Sequence, residues 1–128
     1  MKLYIFLLGV LFSACGIAQD SKESALQKQG HVVVSAKLFK ELMSEENVLL
    51  IDLRTPQEVA KGSIEGSVNI DFLADSFTDK IQALDHDGPV LIYCAVGGRS
   101  GRAGKKMEKL GFKQVFDLEK GYNHWPFK

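Results

Sequence analysis

The chain has 128 residues, 16 lysines and arginines against 16 aspartates and glutamates, and 45% hydrophobic residues, an inventory that fits one compact domain and leaves no room for two. A formal net charge of zero excludes a chain held to nucleic acid by charge, and the apolar content excludes a disordered tail. Two cysteines, Cys15 and Cys94, are too few for a disulfide scaffold and lack the paired spacing of a zinc site.

After Met1-Lys2 comes the apolar run LYIFLLGVLF, Leu3 to Phe12, and then the small residues Ser13, Ala14, Cys15, Gly16 and Ala18. This is the pattern of a secretory signal peptide over residues 1–18. A membrane-spanning helix needs about 20 apolar residues, roughly twice this run. Two processing sites fit. Gly16-Ile17-Ala18 puts small residues at the −3 and −1 positions of a cut before Gln19, which removes Cys15. Alternatively, Phe12-Ser13-Ala14-Cys15 resembles a bacterial lipoprotein box, in which Cys15 takes the lipid, although Phe12 stands where leucine is usual. Either way the expected location is the bacterial periplasm or envelope, with membrane attachment only through an N-terminal lipid. Residues 19–30 are polar, lack apolar periodicity and read as a tether, and residues 31–128 read as the folded domain.

Within that domain, short β-branched runs alternate with helical patterns. His31–Val34 is a strand, Ser35 caps a helix with Leu38, Phe39, Leu42 and Met43 on one face, and Asn47–Leu53 is a continuous apolar strand buried on both faces. Thr55-Pro56-Gln57-Glu58 carries a capping hydroxyl, a proline at the first helical position and a glutamate three residues after the cap, so a short helix starts there and ends by Gly62. Ser67–Ile70 is a short strand, and Phe77, Ile81 and Leu84 mark one face of a helix. Pro89–Cys94 is the second fully apolar strand, Ser100–Leu110 a helix with Ala103, Met107 and Leu110 inward, and Gln114–Leu118 the last strand. The order predicts a doubly wound α/β fold, a parallel sheet of about five strands flanked by helices.

The chemistry falls in Tyr93-Cys94-Ala95-Val96-Gly97-Gly98-Arg99-Ser100, because ligands of open α/β sheets bind beyond the carboxyl ends of strands. Gly97 and Gly98 permit positive φ, which lets the backbone N–H groups of the loop curl around an anion, and the helix after them adds free donors. A thiol facing such donors ionises more readily, and the thiolate is the nucleophile. Arg99 brings a fixed charge and a planar donor fork. Arg102, one turn into the helix, is a further anion contact. Asp52, Arg54 and Glu58 read as structural groups that satisfy backbone donors or pair with one another. His31, His86 and His124 share no ligand spacing and read as surface or packing residues.

In their order and spacing, IDLRTPQE, GSIEGSVNI, YCAVGGRS and LGFKQVFDLEKG, with Trp125 beyond, resemble the motifs of single-domain rhodanese-like sulfurtransferases, and the resemblance covers the chain from about His31 to Trp125. It implies that Cys94 takes a sulfane sulfur from thiosulfate or a persulfide and passes it to cyanide or a thiol acceptor. It also implies that Ala95, Val96, Gly97, Gly98 and Arg99 cradle the persulfide, with no metal and no organic cofactor. Phosphatases and arsenate reductases of the same fold separate Cys from Arg by five residues, and the four between Cys94 and Arg99 make a tighter cradle that suits sulfur. The chain departs from the family pattern at Ser63, where histidine is frequent, and at Lys120-Gly121, where two glycines are usual. The alternative function is a non-catalytic module that binds an anion or senses oxidants through Cys94. From Arg99 onward eight basic residues face three acids, against seven and thirteen between Asp20 and Tyr93, which favours a small anionic sulfur donor, although Lys105, Lys106 and Lys109 read as the solvated face of an amphipathic helix.

Overall fold

A computed structural model describes residues 17–128; the apolar N-terminal run and Cys15 lie outside the described residues. The elements in order are α1 (Ile17–Leu26), β1 (Gly30–Val34), α2 (Ala36–Leu42), β2 (Leu49–Asp52), α3 (Pro56–Ala60), β3 (Val68–Asn69), α4 (Phe77–Gln82), β4 (Pro89–Tyr93), α5 (Gly98–Lys109), β5 (Gln114–Leu118) and a 3-10 turn at Tyr122–His124. The five strands form one parallel sheet in the order β1-β5-β4-β2-β3, the α/β architecture expected from the alternating pattern.

Two sequence signals act as read. Ser35 caps α2 by accepting from the Leu38 N–H at 3.3 Å. At α3 the Thr55 hydroxyl accepts from the Glu58 N–H while the Glu58 carboxylate accepts from the Thr55 N–H, with Pro56 at the first turn. The apolar strands sit at the centre of the sheet because each has a core on both sides. Ile51, Val90, Ile92 and Val115 face Phe77 and Ile81 of α4 and Ala103 and Met107 of α5. On the opposite face, Leu50, Leu91, Tyr93, Phe116 and Leu118 meet Phe39 and Leu42 of α2, Ile64 and Trp125. Burying each such side chain contributes roughly 1.5–3 kcal/mol.

The structure differs from the sequence reading at several elements; β3 is only Val68–Asn69, and α4 ends at Gln82, before Leu84. Residues expected as a polar tether form α1 instead. Its Ala25 is buried in the α2-side core, and the Leu26 carbonyl accepts from the Gln114 side-chain amide, contacts that a local pattern cannot show. Strand β2 is shorter than the apolar run, since Asn47 turns with φ 60° and pairing with β4 begins at Leu49. Helix α5 begins at Gly98 and not at Ser100, so the loop after β4 is tighter than expected.

Candidate active site

Cys94 follows the last residue of the central strand β4, and it is 1% exposed. Its Sγ accepts from the Gly97 N–H at 3.1 Å and from the Ser100 N–H at 3.3 Å, and it lies 3.4 Å from Ser100 Oγ. Burial pushes the thiol pKa up, but the Ser100 hydroxyl and the amides of Ser100, Gly97 and Val96 together outweigh it, leaving the thiol below its ordinary value. The turn that aims these amides inward runs through Gly97 at φ 104°, a left-handed conformation that a side chain would strain.

A second loop holds the first. The Cys94 and Ala95 carbonyls accept from the Tyr122 and Asn123 N–H groups at 2.8 and 3.0 Å. Gly121, at φ 65°, passes so close that a Cβ would sit 2.5 Å from the Ala95 carbonyl and 2.6 Å from the Cys94 oxygen. Its neighbour Lys120 also has positive φ, 62°, which accounts physically for a glycine preference at that position.

Arg99 is tied down from α3. Its two guanidinium nitrogens bond the two Glu58 oxygens at 2.7 and 2.8 Å. The Arg99 fork holds the Glu58 carboxyl down at a pKa of about 2, with burial opposing it and the Thr55 cap assisting. The hydrogen bonds to Glu58 push Arg99 above its ordinary value, with burial opposing and the charges of Glu58, Cys94 and Asp71 assisting, so it stays a cation. Beneath this layer Asp52, fully buried, accepts from Arg54 and from the Tyr93 hydroxyl at 2.7 Å each, and Arg54 also reaches the Gly62 carbonyl at 2.7 Å. Burial first, with Asp52 assisting, pushes Tyr93 up to about 12, so this network stays fixed near neutral pH and reads as structural, as expected.

The residues expected around Cys94 divide into distinct roles. Val96 and Gly97 supply amides, whereas Ala95 is a scaffold residue whose carbonyl is used by Asn123. Gly98 is not in the positive-φ region and instead opens α5. The Arg99 fork faces Glu58, a pairing across 41 residues, so it does not stand open as an anion clamp. Arg102 is drawn over the Phe72 ring at 4.9 Å. Ser100 was not among the expected site residues, yet it gives Sγ both a backbone and a hydroxyl contact; its place immediately after Arg99 at the helix start is the signal that could have found it. His31, read as surface or packing, is held against the buried carboxylate of Asp117, with Nε2 2.9 Å from Oδ2.

Comparisons with known proteins agree with this fold. A family model described as Rhodanese-like domain matches residues 35–127. The chain is 32% identical over 83 residues to the thiosulfate sulfurtransferase GlpE of Pseudomonas fluorescens, covering 65% of this chain and 74% of that one. It is 32% identical over 91 residues to a sulfurtransferase of Allochromatium vinosum, covering 71% and 83%. Among solved structures, a rhodanese-related protein of Thermoplasma volcanium superimposes with a TM-score of 0.64 at 29% identity, covering 73% of this chain and 88% of that one.

Proposed function

The chain belongs to the rhodanese-like domain family, and from that premise we propose that it is a sulfurtransferase in which Cys94 carries the sulfur. The Cys94 thiolate attacks the outer sulfur of thiosulfate or of a persulfide. A new S–S bond forms at Sγ, the donor's own S–S bond breaks, and sulfite or a thiolate leaves with the electron pair. The Cys94 persulfide then yields its outer sulfur to cyanide or to a thiol acceptor, and Cys94 departs as the thiolate that began the cycle.

One observation carries the reading: a buried thiol accepts two backbone N–H groups at 3.1 and 3.3 Å. Such donors stabilise the negative sulfur of the thiolate and of the persulfide without reorganising during the reaction. The exposed lysines Lys105 and Lys109 of α5 favour the approach of an anionic donor over long range. The apolar run from Leu3 to Phe12 supports export, so the proposal places this exchange in the cell envelope, with the chain free or lipid-anchored through Cys15.

The test is thiocyanate production from thiosulfate and cyanide by the purified chain. The wild type should form thiocyanate and Cys94→Ser should form none. Absence of turnover and of sulfur exchange with thiosulfate and with organic persulfides alike would leave an anion-binding or redox-sensing module as the reading.

A further inference from the structure

The sulfur chemistry above leaves unused a cavity of about 210 Å³ between α2, the segment that precedes β3 and the chain that follows the 3-10 turn. Ile64 and Trp125, 4% and 5% exposed, form its depth, and both belong to the core cluster on the face opposite that of Cys94. No residue from Cys94 to Ser100 lines it. Phe127 stands at its mouth, 46% exposed, with its ring edge-to-face against Trp125 at 5.0 Å, so much of that ring's apolar surface is left in water. Two lysines line the same cavity. Lys40 Nζ lies 5.9 Å from the Phe127 ring centroid, and Lys128 Nζ lies 4.3 Å from that of Tyr122, contacts in which a ring face attracts the cation. Among the described residues neither lysine has a carboxylate partner, and the acid in the lining is Glu65. Two positive charges against one negative thus surround an aromatic floor.

We propose that this cavity is a second binding site, separate from Cys94, for a small aromatic monocarboxylate. Size sets the body of the ligand. A cavity of about 150 Å³ accepts one benzene molecule, so 210 Å³ takes one substituted ring, whereas drug-sized ligands occupy about 300 Å³ or more. The floor sets its character, because the edge-to-face pair of Trp125 and Phe127 offers both a ring face and a ring edge to a third ring. Charge sets the head group. Lys40 and Lys128 supply cationic donors to a carboxylate, while Glu65 opposes a second negative charge on the ligand. A neutral ring would leave the lysines unused, and a small inorganic anion would leave the floor in water. Nothing in this site draws on the Cys94 thiol, so the inference stands apart from the sulfurtransferase reading.

Trp125 is the only tryptophan of the chain, so its fluorescence reports the cavity directly. The experiment is a fluorescence titration of the full chain with benzoate at constant ionic strength. The wild type should give a saturable change, with a midpoint about tenfold or more below that for benzyl alcohol, which keeps the ring and lacks the charge. Acetate, which keeps the charge and lacks the ring, should also bind more weakly than benzoate. Lys40→Gln and Lys128→Gln, both at exposed positions, should each weaken benzoate by about two- to fivefold, the worth of an exposed ion pair. Glu65→Gln should tighten it by a similar factor, and Phe127→Ala should weaken it by removing one wall. A signal that changes linearly without saturation, equal midpoints for benzoate and benzyl alcohol, or lysine variants that titrate as the wild type does overturns the proposal. Cys94→Ser should bind benzoate as the wild type does. Saturation without thiocyanate formation would therefore sink the transferase reading alone, and thiocyanate formation without saturation would sink the second site alone.

Discussion

At the scale of single residues, the site separates the sulfur from the charge that serves it. Cys94 is bonded by neutral amides and a hydroxyl, while the charge of Arg99 is fixed by Glu58. That arrangement has a pH signature. Glu58 is held at about 2 against an ordinary 4.5, so its pairing stabilises the fold fully above the ordinary carboxylate range and the stabilisation is lost as pH falls through that interval. Glu58→Gln retains a capping side chain but loses the ion pair. Because the pair is partly exposed, denaturant unfolding should show the variant less stable by about 0.5–1 kcal/mol at pH 7, with the difference closing toward pH 2. An equal difference at both pH values would show that the ion pair is not its source. Cys94, Gly97 and the Thr55 cap were legible in sequence because each acts within a few residues of itself. Arg99 with Glu58, and His31 with Asp117, were not, since they meet across 41 and 86 residues and only the sheet order brings them together.

At the scale of elements, the loop after β4 is a shape shared by two segments. The turn at Lys120-Gly121 carries two successive positive-φ residues and ends in the N–H groups that bond the Cys94 and Ala95 carbonyls. Gly121→Ala would force its Cβ into that backbone, and the expected result is a large loss of sulfur loading together with about 1–3 kcal/mol of stability. Lys120→Gly should do the reverse, relieving a left-handed residue and gaining roughly 0.5 kcal/mol after the extra entropy of the unfolded glycine. Chemical denaturation of the two variants checks both signs, and a destabilising Lys120→Gly would count against strain at that turn. The central strands were legible because an apolar run buried on both faces has no other comfortable place. Helix α1 was not, because its sequence is polar and it is held through Ala25 and Gln114, contacts made only after α2 and β5 are in place.

At the scale of the whole molecule, the parallel sheet joins one core on each face and sets the thiol at its middle. Cys94 belongs to the core cluster on the α4 and α5 side, whereas Tyr93, one residue earlier, belongs to the opposite one. Packing on both faces therefore fixes the strand end from which the loop departs. The zero net charge also resolves along the chain: the acidic excess lies before Tyr93 and the basic excess lies in and after α5. The central claim is that this frame serves one sulfur atom on one thiol, and intact-mass measurement after incubation with thiosulfate tests it most directly. The account predicts a gain of one sulfur atom in the wild type, removed by cyanide and absent in Cys94→Ser; an unchanged wild-type mass, or a gain that survives Cys94→Ser, would contradict it.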